Sequence, residues 1–273
     1  MFHHLIGFIE KISDLQHPHI CPIREIEADG NQLRVVFPAA DNTLAERMTP
    51  AKEETVLKWI YQIASAFRFV MQEAKPVFDY LGPLDSACCV ICDDNICVNV
   101  LELWLRSGID PTQTVDLTTA VSWAPEYLQE GAEVGSTGAV DEKGQIWALG
   151  IVAYEAAMMS SPFVSEAPLI LMEKIMQENP VISGEFSESF RDLLSKRLLA
   201  KRPFDRISVY ELLKDKLFMK MSCCQSLLRV NSVRAMVAEQ REFSQPEFGE
   251  AIEVFQPSTG PNSSESPSSC RLF

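Results

Sequence analysis

Basic charge is what this sequence most lacks. Its 24 Lys and Arg stand against 38 Asp and Glu, a net charge of −14, so the counterion release that drives nucleic-acid binding has no basic cluster to act through. DNA, RNA and polybasic membrane binding are discounted on that ground. Long apolar runs are missing too: none reaches the ~20 residues of a bilayer span, and "MFHHLIGFIEKISDLQ" carries charge too early for a secretory signal. The eight cysteines (Cys21, Cys88, Cys89, Cys92, Cys97, Cys223, Cys224 and Cys270) lack the spacing of a secreted disulfide framework. Reduced thiols, an intracellular and cytoplasmic location, and no membrane partner are the expectation.

What is present is apolar content. At 273 residues and 47% apolar, the chain can bury a core of one domain of roughly 200 to 250 residues plus a tail, or of two small domains. Residues 5–16 place Leu5, Phe8, Ile9, Ile12 and Leu15 at helical spacing, ending before "HPHICP". "CPIREIEADGNQLRVVFP" reads as a hairpin turning at Asp29-Gly30-Asn31. "EETVLKWIYQIASAFRFVMQEA" predicts a long, buried helix. A second hairpin is expected around Asp93-Asp94-Asn95, and "QIWALGIVAYEAAMM", apolar nearly all round, reads as a central core helix. Strands come early and helices late, with no internal repeat, which predicts an α+β fold. "QPSTGPNSSESPSSCRLF" has too little apolar content to offset its ordering entropy, so 255–273 is expected to be a disordered tail. A further helix is expected over 223–243.

The order of several motifs resembles the eukaryotic protein kinase family. "HPHI" resembles the segment after the regulatory helix of the small lobe, and "LRVVFPAADNTLAERM" the fifth strand, hinge and following helix. "WAPEYL" resembles the Ala-Pro-Glu close of the activation segment, "GQIWALGIVAYEAAM" the buried helix beyond it, and "LLSKRLLAKRPFDRISVYELLKDKLF" the closing helices. "PFDRISV" and the compact length resemble the NIMA-related serine/threonine kinases in particular. The resemblance implies a truncated small β lobe and hinge over 1–48, a helical large lobe over 49–220, a C-terminal extension over 221–254 and the tail over 255–273. It also implies a buried ion pair between Glu126 and Arg206, and an adenine hinge formed by the backbone of Ala39 and Ala40.

The same resemblance implies losses. Phosphoryl transfer depends on cradled phosphates, held Mg²⁺ and an oriented hydroxyl. Only seven residues precede Phe8, which stands where the family has the glutamate of the small lobe, so the glycine-rich loop and its lysine have no room. Counting from the long helix puts "VFD", 77–79, at the catalytic loop, leaving Asp79 as a vestigial base; counting back from the second hairpin puts "GPL", 82–84, there, with no base. Neither register supplies the metal-binding asparagine, whose place falls to Cys89 or Leu84. The metal-binding Asp-Phe-Gly becomes "VLE", 100–102: Val100 cannot ligate Mg²⁺, and Glu102 is a weak substitute. Gln145 replaces the aspartate that holds the catalytic loop, keeping hydrogen bonds but not charge.

The expectation is therefore a catalytically inactive kinase-like domain, a pseudokinase acting as a scaffold or regulator by binding a protein partner such as an active kinase or its substrate. No cofactor is expected. The alternative is a NIMA-related-type serine/threonine kinase of reduced activity, or one with an incomplete gene model, in which ATP and Mg²⁺ would still bind. A zinc site at Cys88, Cys89, Cys92 and Cys97 is set aside because the hairpin alternates its faces, leaving them as small buried hydrophobes. His3, His4 and His19 are expected to be exposed. "CRLF" resembles a prenylation box at Cys270, opposed by Arg271 and by an acidic, serine-rich approach.

Overall fold

Twelve residues of amphipathic sequence open the fold as helix α1 (Phe2–Ser13), which buries Ile9 and Ile12. In this computed structural model the described residues are 2–29, 32–79, 81–92, 94–106, 120–128 and 141–219. The expected extension 221–254 with its 223–243 helix, the tail 255–273 and the "CRLF" terminus with Cys270 lie outside them, as do the side chains of His3, His4 and Phe8. Helix α1 stops at Ser13, short of the 5–16 span expected. The Ser13 hydroxyl donates to the Glu10 carbonyl at 2.7 Å, a local bond that competes with helix propagation.

Strands β1 (Glu25–Asp29) and β2 (Gln32–Val36) pair antiparallel, Glu25 opposite Val36 and Asp29 opposite Gln32. A second antiparallel sheet has the order β3 (Asn42–Thr43), β4 (Cys89–Cys92), β5 (Asn95–Val98). The turn of its hairpin needs a left-handed residue, supplied by Asp94 at φ 63°, a residue type that tolerates that conformation. The Asp94 carbonyl accepts from Trp59 Nε1 and Lys58 Nζ, both at 3.1 Å, which fastens the turn to helix α2 (Glu53–Glu73).

Helix α2 turns Val56, Ile60, Ile63, Phe67 and Val70 inward at three- and four-residue intervals. Short α3 (Lys75–Phe78) follows it, and α4 (Val100–Arg106) follows β5. Helix α5 (Glu142–Met158) crosses the core, N-capped by Asp141 and closed by Met159 at φ 56°. Ile146, Trp147, Leu149 and Ile151 on its different faces are all fully buried. Helices α6 (Pro168–Gln177), α7 (Glu188–Asp192, running into a π-helical turn at Leu193–Leu198), α8 (Val209–Leu213) and α9 (Lys216–Met219) complete the described chain. Gly150 lets α5 approach that π turn, since a Cβ there would lie 2.7 Å from Leu199 Cδ2. One continuous apolar core runs from Ile9 to Phe218, and the architecture is α+β.

One histidine departs from expectation. His19 is buried, not exposed, because a parallel bridge between Ile20 and Val98 and the Val98 N–H bond to the His19 carbonyl at 2.9 Å draw "HPHI" onto the edge of β5. Its Nδ1 pairs with the Ile96 carbonyl at 3.2 Å. Desolvation lowers the ring's pKa to about 4, so the buried imidazole is neutral near pH 7.

Candidate functional site

The first turn of α5 aims Gln145 at the segment that joins α3 to β4. Its Nε2 donates to the Gly82 carbonyl at 2.7 Å, and its Oε1 accepts from the Leu84 N–H at 3.1 Å. The side chain is fully buried, as is Leu84 between those partners. An amide is suited to this task because it can both donate and accept, and the main chain here presents one acceptor and one donor. The segment is held from the other side by the Gly82 N–H, which donates to Leu103 of α4 at 3.1 Å.

Asp79 sits outside this clasp. It caps the C-terminal end of α3 and is exposed. Val100 and Glu102 occupy the first turn of α4 and not a loop: Asn99 Oδ1 accepts from the Glu102 N–H at 3.1 Å, an N-cap that starts a helix there. Val100 is buried and has no ligating atom. Ala39 and Ala40 are exposed on the way into β3, and the next residue, Asp41, donates its N–H to the Ile91 carbonyl of β4 at 3.1 Å. The space between α2 and α5, lined by apolar side chains including Leu44, Ile63, Leu149 and Val152, amounts to about 10 Å³, the room of about one water. Ligand pockets begin near ~300 Å³ and carry placed polar groups. Among the described residues no three His, Cys, Asp or Glu stand where they could hold a metal ion.

Glu126 and Arg206 are joined directly. The 3₁₀ turn Pro125–Tyr127 presents Glu126, whose two oxygens accept from Arg206 Nη1 at 2.6 Å and Nη2 at 2.7 Å. The other Arg206 donors reach main-chain carbonyls: Ala200 from Nε at 2.8 Å, Lys143 from Nη1 at 3.0 Å and Lys201 from Nη2 at 3.0 Å. All five N–H groups of the fork are therefore used. The guanidinium lies over Trp147 at 5.2 Å from the ring centroid, and the side chain is 0% exposed against 24% for Glu126. Lys201 shares the neighbourhood, 4.4 Å from the Phe163 centroid. Burial, then the Arg206 charge, lower its pKa to about 8.

A half-buried polar contact escaped the reading of the sequence. Ser86 Oγ donates to Glu155 Oε2, and burial raises the Glu155 pKa, with the Ser86 bond opposing. The available signal was a lone carboxylate inside "AYEAAMM", since an acid in an otherwise apolar helix needs a partner. Thiols Cys88 and Cys89 are fully buried as apolar packing, and none of the five described cysteines is in a disulfide.

No protein-family model matches the chain. Among curated proteins it is similar to the serine/threonine-protein kinase Nek10 of Mus musculus, 25% identical over 244 residues that cover 84% of this chain and 21% of Nek10. It is also similar to the serine/threonine-protein kinase ULK3 of Xenopus laevis, 24% identical over 87% of this chain and 50% of ULK3. The serine/threonine-protein kinase Nek1 of Mus musculus is 26% identical over 77% of this chain and 17% of Nek1. The chain thus spans about a sixth to a half of the length of these relatives. With its α+β architecture and similarity to serine/threonine kinases over most of its length, the chain is protein-kinase-like.

Proposed function

We propose that this kinase-like chain has lost phosphoryl transfer and works through protein–protein binding, as a scaffold or regulator of an active kinase or of that kinase's substrate. One observation carries the reading: Gln145 clasps Gly82 and Leu84. In the kinase pattern the residue at the head of this helix holds the catalytic loop, so the clasp supports the register Gly82-Pro83-Leu84 over Val77-Phe78-Asp79. The position of the base then falls to Leu84, a buried side chain with no proton acceptor. Asp79 precedes that loop, exposed at the end of α3. Val100, at the metal position, has no oxygen to offer, and positioning with electrostatics supplies nearly all of the rate in phosphoryl transfer. The division into a small lobe over 1–48 and a helical large lobe over 49–220 belongs to the same reading.

The test is incubation of the full chain with γ-labelled ATP and Mg²⁺, with itself and with generic protein substrates as acceptors. No incorporation is expected, and Asp79→Ala is expected to match the parent chain. The alternative, a weakly active serine/threonine kinase using Asp79 and Glu102, draws on the relatives' names as serine/threonine-protein kinases. Label transfer abolished by Asp79→Ala would replace the proposal with that alternative. For the binding half, interferometry of the immobilised chain against an active kinase domain of the Nek type should give micromolar or tighter affinity, about −8 kcal/mol.

A further inference from the structure

Two cysteines share one face of the β4–β5 hairpin, with a third, Cys21, nearby. In the register of that hairpin Cys97 lies opposite Val90 and Cys92 opposite Asn95. Residues two apart in a strand share a face, so Cys92 and Cys97 lie diagonally across the same side. Cys97 Sγ donates to the Pro18 carbonyl at 3.5 Å, and the Cys92 thiol is near enough to raise the Cys97 pKa. Cys21 joins from the segment after α1, its N–H donating to Val98 at 2.9 Å. Cys21 is buried, whereas Cys92 and Cys97 are half-buried and reachable from solvent. No set of three ligands among the described residues is arranged for a metal, which leaves the chemistry of a dithiol.

We propose that Cys92 and Cys97 form a peroxide-oxidisable pair that closes to a disulfide across the β4–β5 hairpin. One of the two, as thiolate, attacks hydrogen peroxide; the O–O bond breaks, hydroxide leaves and a sulfenic acid forms. The other thiol attacks that sulfur, releasing water and forming the S–S bond, so that two thiols and one peroxide give one disulfide and two waters. The hairpin is held in place for the reaction by α2, through the bonds of Trp59 and Lys58 to Asp94 and of Gln62 Nε2 to Asn95 Oδ1 at 2.8 Å. Burial, then the Cys92 thiol, push the Cys97 pKa up to about 11. The thiolate fraction at such a site is about a hundredfold larger at pH 9 than at pH 7, and oxidation is correspondingly faster there. The proposal does not depend on the kinase-like reading.

The experiment treats the reduced full chain with hydrogen peroxide at pH 7 and pH 9, alkylates the remaining thiols and maps the peptides by mass spectrometry. The expected result is a Cys92–Cys97 cross-link lighter by two hydrogens, formed faster at pH 9, retained in Cys21→Ser and lost in Cys92→Ser and in Cys97→Ser. A cross-link of Cys97 to Cys21, oxidation of either residue only to sulfinic or sulfonic acid, or equal rates at the two pH values would overturn it. The map of the unsubstituted chain decides the linkage without relying on the folding of any variant.

Discussion

Replacing Arg206 by alanine tests how far the buried fork holds the helical part of the fold together. The side chain is 0% exposed and satisfies the Glu126 carboxylate together with three main-chain carbonyls. Removing it strands Glu126 and those carbonyls at once, and breaking a buried pair from one side costs about 3 to 5 kcal/mol. Glu126→Gln is milder, because Arg206 keeps its three carbonyl bonds and Glu126 is 24% exposed, so that water reaches the site. Loss of a charge-assisted bond of that kind costs about 1.5 to 3 kcal/mol. Arg206→Lys keeps the charge but supplies three donors where five are used, and falls between the two. In urea titrations with linear extrapolation, the expected order of destabilisation is Arg206→Ala, Arg206→Lys, Glu126→Gln. For a domain of this size about 2 to 4 °C accompanies each kcal/mol, so Arg206→Ala lowers the midpoint by roughly 6 to 20 °C. An Arg206→Ala chain within ~1 kcal/mol of the parent, or a Glu126→Gln chain less stable than Arg206→Ala, would refute the reasoning, since burial is what makes the stranded partner costly.

Four further substitutions, at three residues, probe the candidate site and the core around it. Gln145→Leu removes the partner of both the Gly82 carbonyl and the Leu84 N–H, about 1 to 3 kcal/mol for each group left buried, and should raise hydrogen exchange over 81–85. Gln145→Asp should not rescue the parent stability, because a carboxylate cannot donate to the Gly82 carbonyl. Gly150→Ala drives a methyl to 2.7 Å from Leu199 Cδ2, an overpacking of about 1 to 3 kcal/mol that calorimetry reads as a lower Tm, although alanine is the better helix former. His19 has a folded pKa of about 4 against an ordinary 6.5. The unfolded chain therefore binds the extra proton between those values, and the contribution of this residue is complete above pH 6.5 and lost as pH falls towards 4. The difference is roughly 3 kcal/mol, and His19→Leu should flatten that part of the acid limb in pH-dependent urea titrations.

Helices α2 and α5 are legible in the sequence because their evidence is local: apolar spacing at Val56, Ile60, Ile63 and Phe67 for one, an apolar run broken only by single polar residues for the other. Both hairpins are legible for the same reason, through Asp-Gly-Asn and Asp-Asp-Asn between β-rich runs. His19 is not, since its burial follows from the pairing of Ile20 with Val98, and no pattern within "HPHI" specifies which strand it will meet. The helix at Val100 was hidden by alignment to a loop motif, although Asn99 was a local N-cap signal that pointed the other way. The Gln145 clasp joins positions 61 and 63 residues apart, and counting along a chain cannot choose between two loop registers that differ by a few residues. Side-chain amides, which both donate and accept, leave their partners undetermined until the main chain is placed. On the proposed reading, a residue substituted at a motif position, Gln145 for aspartate, preserves the grip on a loop while the loop itself carries different chemistry, and for that reason the site is argued from Leu84 and Val100, and the fold from Glu126 and Arg206.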